Sequence, residues 1–180
     1  MPADVHLAYS DMLSGLVVPL LIERGFAGHD DRFRRVAANG DTVALSFQPS
    51  PVTFPGQLSY YVNVDAATAR WVQYRGELGQ IFGRVQPGPR FAFHRGSDDW
   101  NLRSAEAAPE YGAEMRRAID EEILPGLQMH LALNAALERA IASGKAESAF
   151  ERPPELPGII NRMSYLSQDD EYVQWLRRTG

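Results

Sequence analysis

Residues 33–48, FRRVAANGDTVALSFQ, contain an Asn-Gly pair between two runs of β-forming residues. Asn39-Gly40 is a strong hairpin signal, because both residues tolerate the positive φ of a two-residue turn. The stretch therefore predicts two antiparallel strands, 33–38 and 41–48. The second strand has one apolar face, which is formed by Val43, Leu45 and Phe47.

A third strand, 58–65, has the same alternation of apolar and polar residues, with Tyr61 and Asn63 on its polar side. A fourth, short strand is predicted near 100–103. A period of two with one polar face is typical of an antiparallel sheet that is half exposed to solvent. The sequence thus predicts an α+β fold, in which an antiparallel sheet of about four strands carries N-terminal and C-terminal helices packed mainly on one face.

Apolar residues at spacings of three and four predict helices at 4–24, 109–124 and 125–143, and a last helix from Ser167 to the end. Asp4 is the expected N-cap of the first helix, and Pro19 is expected to kink the helix or restart it. Pro125 suits the first position of a helix. Repeated glycines at 66–103 predict irregular structure there. The predicted organisation is a single α+β domain at 1–143, a Pro/Gly-rich linker at 144–166, and a C-terminal helix at 167–180 that packs back on the domain.

The helix at 125–143 has apolar residues on two nearly opposite sides, with Leu131 on one and Leu133 on the other. Such a helix is expected to be covered on both sides. His130, Asn134 and Glu138 recur at four-residue spacing, which predicts a polar seam between the two buried faces. One His with one carboxylate is an incomplete metal site, so we expect no metal there.

Composition excludes several classes of protein. The chain of 180 residues has no Cys, so it has no disulfide framework, thiolate nucleophile, Cys-ligated zinc or iron–sulfur cluster. A net charge of -5 argues against general affinity for nucleic acid. The longest apolar run, residues 16–22, contains Pro19 and falls short of the ~20 residues of a membrane span. We expect a cytoplasmic protein with no membrane contact and no cofactor.

Several short motifs follow one another in order over roughly residues 13–130. They are Gly25-Phe26, Phe33-Arg34, Phe47-Gln48-Pro49-Ser50, Val62-Asn63-Val64, Asp99-Trp100-Asn101-Leu102 and Leu124-Pro125. This ordered set resembles a bacterial family known as domain of unknown function 4304. The resemblance implies an α+β fold with helices on one side of an antiparallel sheet, and it implies no reaction.

Two loops have the composition of a metal site or an acid–base pair. His94, Asp98 and Asp99 are close together in sequence, and His29-Asp30-Asp31 has the same residue types. Turns also favour Asp, so solvated loop charges are the preferred interpretation of both sets. His94, Asp98 and Asp99 are the candidate catalytic residues of a metal-dependent or acid–base enzyme.

The candidate binding residues fall into two groups. Arg84, Arg90 and Arg95 lie among aromatic residues, a composition that can bind nucleic acid or another anion. Tyr61 and Asn63 share the polar face of the third strand. Because no catalytic motif is present, the leading hypothesis is a non-enzymatic binding module with a protein partner. An immunity factor that binds a toxin is one version, and a homodimer is another possible assembly.

The two-sided helix generates a test of folding stability. Replacing Leu133 or Leu131 with Asp should lower the free energy of unfolding by several kcal/mol, because the new charge is buried without a partner. Arg139→Ala should cost little. Thermal unfolding of the variants checks this, and a Leu133→Asp protein as stable as the parent would show that the Leu133 side of the helix is exposed.

Overall fold

The structure is a computed structural model that describes residues 4–51, 54, 56–80, 90–91, 100–144 and 170–180, with only the backbone at 90–91. The chain forms two compact units. Unit 1 comprises Met1–Arg35, Ala44–Val64 and Arg90–Pro125, and unit 2 comprises Val36–Val43, Asp65–Pro89 and Gly126–Gly180.

The α+β fold and the antiparallel sheet are confirmed. The sheet runs in the order β1-β2-β3-β4-β5, and β6 also pairs with β4. All four predicted strands are present, and β1 and β5 are two short additions. Leu58 pairs with Leu102, and Val62 pairs with Phe91. The strands are β1 (Ala27–His29), β2 (Arg32–Val36), β3 (Thr42–Pro49), β4 (Leu58–Ala67), β5 (Arg90–Phe91) and β6 (Trp100–Leu102).

The β2–β3 hairpin turns at the predicted place but with a different geometry. The Gly40 N–H donates to the Ala37 carbonyl at 2.9 Å, and the Ala37 N–H donates to the Asp41 carbonyl at 2.8 Å. Gly40 has a φ of +90°, whereas Asn39 is not among the residues with positive φ. This is the three-residue loop that ends in a left-handed glycine, and not the predicted two-residue turn. The Asn39 side chain instead binds Asp41, through Nδ2 to Oδ2 at 2.8 Å.

Two of the helical regions accommodate a proline through a π-helical turn. The Val18 N–H, just before Pro19, donates to the Leu13 carbonyl, and the Leu124 N–H, just before Pro125, donates to the Ile119 carbonyl. These wider turns relieve the clash that a proline ring makes with the preceding turn. The helices are α1 (Val5–Glu23), α2 (Ala69–Glu77), α3 (Ala108–Ala118), α4 (Leu124–Ala142) and α5 (Asp170–Thr179).

Helix α1 begins as predicted, because the Asp4 side chain accepts the N–H of His6 at 2.9 Å. Its 19 residues are long and apolar enough, by length and composition alone, to cross a membrane. The expectation that the chain has no membrane span was based on the shorter apolar run at 16–22 and did not consider this longer segment. Core helices and signal sequences share these properties, and in this structure α1 buries side chains that include Met12, Val17 and Leu21.

Helix α2 corrects the prediction of irregular structure after residue 66. Thr68 is its N-cap, with the side-chain oxygen accepting the N–H of Trp71 at 3.2 Å. The buried Trp71 and Tyr74 are three residues apart, which is a helical spacing that the surrounding glycines obscured. Helix α5 packs against them within unit 2. Its Tyr172 ring lies 4.8 Å from the Trp71 ring, and its Trp175 indole donates to Glu77 at 2.8 Å.

Helix α4 buries one broad face rather than two opposite ones. The centre of that face is the predicted polar seam, since His130, Asn134 and Glu138 are only 2%, 3% and 2% exposed. At ~100° per residue, Leu131 and Leu133 lie on the two flanks of this line, where both are partly buried. The prediction of cover on two opposite sides is therefore wrong. Met129, on the far side from the seam, is 43% exposed.

The packing of α1 on α3 within unit 1 generates a second test. A Cβ at Gly112 would lie 2.6 Å from Leu16 Cδ1 and 2.8 Å from Met12 Cγ. Gly112→Ala should therefore destabilise the protein by about 1–3 kcal/mol through overpacking. Gly15→Ala is the matched control, because its Cβ would meet nothing within 4 Å and alanine favours a helix. Urea unfolding measures both, and equal stability of the two variants would contradict this packing.

Candidate functional site

Several predicted site residues lie outside the described part of the chain. These are the candidate catalytic residues His94, Asp98 and Asp99, together with Arg84 and Arg95 of the basic segment. The structure therefore does not test the catalytic prediction.

The other His-Asp set lies at the exposed turn between β1 and β2. His29 Nδ1 is 3.0 Å from Asp30 Oδ2, and these side chains are 90% and 86% exposed. Within the described residues, no three His, Asp or Glu side chains come together as a possible metal site. The His29 and Asp30 side chains are therefore exposed to solvent at this turn, which agrees with the interpretation of this set as solvated loop charges.

Two of the remaining binding residues, Tyr61 and Asn63, lie on one face of the sheet in unit 1. Phe33 of β2 and Phe47 of β3 are buried, and their ring centroids are 6.1 Å apart. Since successive side chains of a strand point to opposite faces, the neighbours of these two residues lie on the other face. We call this other face the polar sheet face. It contains Arg32, Arg34, Ser46, Gln48, Tyr61 and Asn63.

Asn63 is the centre of the polar sheet face. Its Nδ2 atom donates to Ser46 Oγ and to Gln48 Oε1, both at 3.3 Å, which holds the amide in one orientation. The residue is 3% exposed, yet its Oδ1 atom has no hydrogen-bond partner among the described residues. A buried amide oxygen without a donor costs about 1–3 kcal/mol. The NH₂ group of Asn63 is thus hydrogen-bonded, whereas its carbonyl oxygen has no partner among the described residues.

Tyr61 and Arg90 are the two other predicted binding residues near Asn63. The Tyr61 hydroxyl lies 3.4 Å from Ser50 Oγ, and the ring is partly buried. Arg90 of β5 is the register partner of Asn63 on β4. Two of the five predicted binding residues, Tyr61 and Asn63, therefore share one face, and the backbone of Arg90 pairs with Asn63. Strand alternation identified the first two, and local composition identified Arg90.

A second unsatisfied amide lies farther along the same face. Asn101 of β6 is the register partner of Ser59, and Ser59 shares its side of β4 with Asn63. The Asn101 Oδ1 atom is buried and has no partner among the residues described. Both amides therefore present a carbonyl oxygen that can accept a hydrogen bond from an N–H or O–H group.

The polar sheet face carries positive charge at its β2 side. Arg32 and Arg34 are both exposed, and the Arg32 side chain is 74% accessible. Arg32 Nε lies 3.7 Å from Asp31, and Arg34 forms no ion pair within the described residues. Sequence reasoning missed these two residues as binding candidates. Their alternation with the buried Phe33 is the signal that could have identified them.

Two tyrosines on the apolar side of the sheet, one from β4 and one from α1, have hydroxyl groups without a partner among the described residues. Tyr9 of α1 and Tyr60 of β4 have ring centroids 4.7 Å apart, and neither hydroxyl has a partner in the described part of the chain. Burial raises the pKa of both phenols well above the usual value. They lie in the core of unit 1, so they are buried phenols that stay neutral and are not acid–base groups.

Unit 2 contains a separate polar cluster around Glu138. The Tyr172 hydroxyl donates to Glu138 Oε1 at 2.7 Å, and the Thr68 hydroxyl donates to the same oxygen. Burial raises the pKa of the Glu138 carboxyl, although both hydrogen bonds act in the opposite direction. One turn and two turns earlier on α4, Asn134 Nδ2 donates to His130 Nε2 at 2.6 Å. The two hydrogen bonds of Glu138 tie α4 to the start of α2 and to α5, which is a structural role.

No family model, curated protein or solved structure matches this chain. The resemblance to domain of unknown function 4304 accordingly stays a prediction.

The Glu138 cluster generates a third test. Glu138→Ala removes the acceptor of two buried hydroxyl groups, so it should lower the free energy of unfolding by about 1–3 kcal/mol. Glu138→Gln keeps an acceptor and should be close to the parent in stability.

The same variants differ in their dependence on pH. Because the folded-state pKa of Glu138 is raised above 4.5, its contribution to stability is present below that pH and is lost as the pH rises through the folded-state pKa. Glu138→Gln should weaken this decline in stability. The decline should not vanish, since burial also raises the pKa of Asp65 from 3.8 to about 6. Urea unfolding at a series of pH values from the ordinary pKa of a glutamate upward checks the prediction. It is contradicted if the unfolding free energy of Glu138→Gln depends on pH as steeply as that of the parent.

Proposed function

We propose that this protein is a non-enzymatic binding module whose ligand or protein partner contacts the polar sheet face. The observation that carries the proposal is the unpaired amide oxygen of Asn63, in a residue that is 3% exposed. A buried polar group without a partner is costly for folding alone. A ligand N–H or O–H group that donates to the Asn63 oxygen would supply the missing hydrogen bond and so stabilise the complex.

The chemistry of the face supports binding rather than catalysis. The six residues that define the face carry amides, hydroxyls and guanidinium groups, which recognise a ligand through hydrogen bonds and charge. The next residue on that side of β4 is the carboxylate Asp65, which belongs to unit 2. The six residues do not include a nucleophile held by a general base. A protein partner, for instance a toxin bound by an immunity factor, remains the preferred class of ligand, and a second copy of the chain is an alternative.

Nucleic-acid binding is the second candidate function. It is favoured by one observation, the pairing of Arg90 with Asn63, which places a residue of the basic segment beside the polar sheet face. The net charge of -5 opposes it, since a polyanion is repelled by an acidic protein except at a strong local patch.

Asn63→Leu tests the proposal, because leucine fills a similar volume without a polar group. If Asn63 serves binding, the variant should be within about 1 kcal/mol of the parent in unfolding free energy, or more stable, since one unpaired oxygen is removed while two long hydrogen bonds are lost. The variant should also lose the partners that the parent captures from its native cell. Leu45→Ala, a core change, is the control that should lower stability by about 2–5 kcal/mol.

Two results would contradict the proposal. One is an Asn63→Leu protein that captures the same partners as the parent. The other is a loss of stability as large as that of the Leu45→Ala control, which would make Asn63 a structural residue.

A further inference from the structure

Arg32 and Arg34 differ from the arginines that build unit 1. Arg24 donates to Asp120 at 2.7 Å and 2.9 Å, and Arg35 donates to the Arg24 carbonyl while its guanidinium lies 5.1 Å from the Phe26 ring centre. These two arginines have structural partners. Arg34 forms no ion pair within the described residues, and Arg32 has a single contact of 3.7 Å with Asp31. Their charge is therefore available to a ligand.

The position of this charge relative to the amides restricts the shape of the ligand. Strands β2 and β4 are two positions apart in the sheet, so Arg34 and Asn63 lie on strands about 10 Å apart. Along β2, the Cα atoms of Arg32 and Arg34 are separated by roughly 7 Å, the distance between alternate residues of an extended peptide. A ligand that reaches both guanidinium groups and the amides needs several anionic groups and several hydrogen-bond donors.

Resting on the function proposed above, we propose that the ligand of the polar sheet face is an extended acidic segment of a partner protein. Its carboxylates pair with Arg32 and Arg34, because a guanidinium binds a carboxylate through two parallel hydrogen bonds. Its backbone N–H groups donate hydrogen bonds to the side-chain amide oxygens of Gln48 and Asn63. A peptide thus provides both the negative charge and the neutral donors.

Single-stranded nucleic acid fits the same face less well. It would need exposed aromatic rings on which its bases stack. Tyr61, the aromatic residue of the polar sheet face, is partly buried and its hydroxyl lies against Ser50. The acidic balance of the whole chain also disfavours a ligand with a charge on every nucleotide.

Fluorescence anisotropy tests the inference with a labelled peptide of alternating glutamate and threonine. The parent should bind it at low salt and more weakly at physiological salt, as charge contacts require. The double variant Arg32→Glu, Arg34→Glu should bind about tenfold or more weakly. Arg139→Glu, the same change at an exposed position of α4, should bind like the parent. Thermal unfolding confirms that each variant is folded.

Several outcomes would overturn the inference. The first is no binding of the peptide by the parent, and the second is equal binding by the double variant and the Arg139→Glu control. Binding of a single-stranded oligonucleotide in place of the peptide would assign the face to nucleic acid.

Partner capture separates the inference from the proposed function on which it rests. If Asn63→Leu loses the captured partner and the double variant keeps it, the face binds but its ligand is not an acidic segment. If neither variant changes the capture, both proposals fail.

Discussion

The contact between Phe33 and Phe47 is the constraint on which unit 1 depends. Both rings are buried, and they meet at 6.1 Å across neighbouring strands. A slip of one residue would move every side chain of a strand to the opposite face, so this contact sets which side of the sheet becomes core. The same register places Arg34, Gln48 and Asn63 together on the other side. The polar sheet face is thus a direct consequence of how the core packs.

The buried polar groups of the two units have different roles because their partners differ. In unit 2, Glu138 accepts hydrogen bonds from Thr68 and Tyr172, so its burial is compensated by the fold itself. In unit 1, the Asn63 amide is held by Ser46 and Gln48 on one side only. A satisfied buried group stabilises a single packing, whereas an unsatisfied one lowers stability unless a ligand completes it. Asn63 lies on the polar sheet face, whereas the unpartnered hydroxyls of Tyr9 and Tyr60 lie in the core of unit 1. This position, together with the contrast to Glu138, is the basis for placing function on the polar sheet face.

Local patterns predicted the strands and the Asp4 cap because each depends on a few adjacent residues. The hairpin at Asn39-Gly40, the Asp4 cap and the alternation of β4 are of this kind. The details that failed depend on the third dimension. Glu138 binds Thr68 and Tyr172, which are 70 and 34 positions away from it in the chain. The spacing of residues on α4 does not reveal such distant partners. The left-handed turn residue and the cover of α4 likewise depend on tertiary packing. The predicted loop with His94 lies outside the described residues.

The side-chain amide signals in a nitrogen–proton correlation spectrum test the central claim most directly, because they report on Asn63 itself. On addition of the glutamate–threonine peptide, or of a captured partner, the NH₂ signals of Asn63 and Gln48 and the Nε–H signal of Arg34 should shift together. The NH₂ signal of Asn39, at the tip of the hairpin, should stay in place. Shifts at Asn39 with none at Asn63 and Gln48 would show that the polar sheet face is not the binding surface.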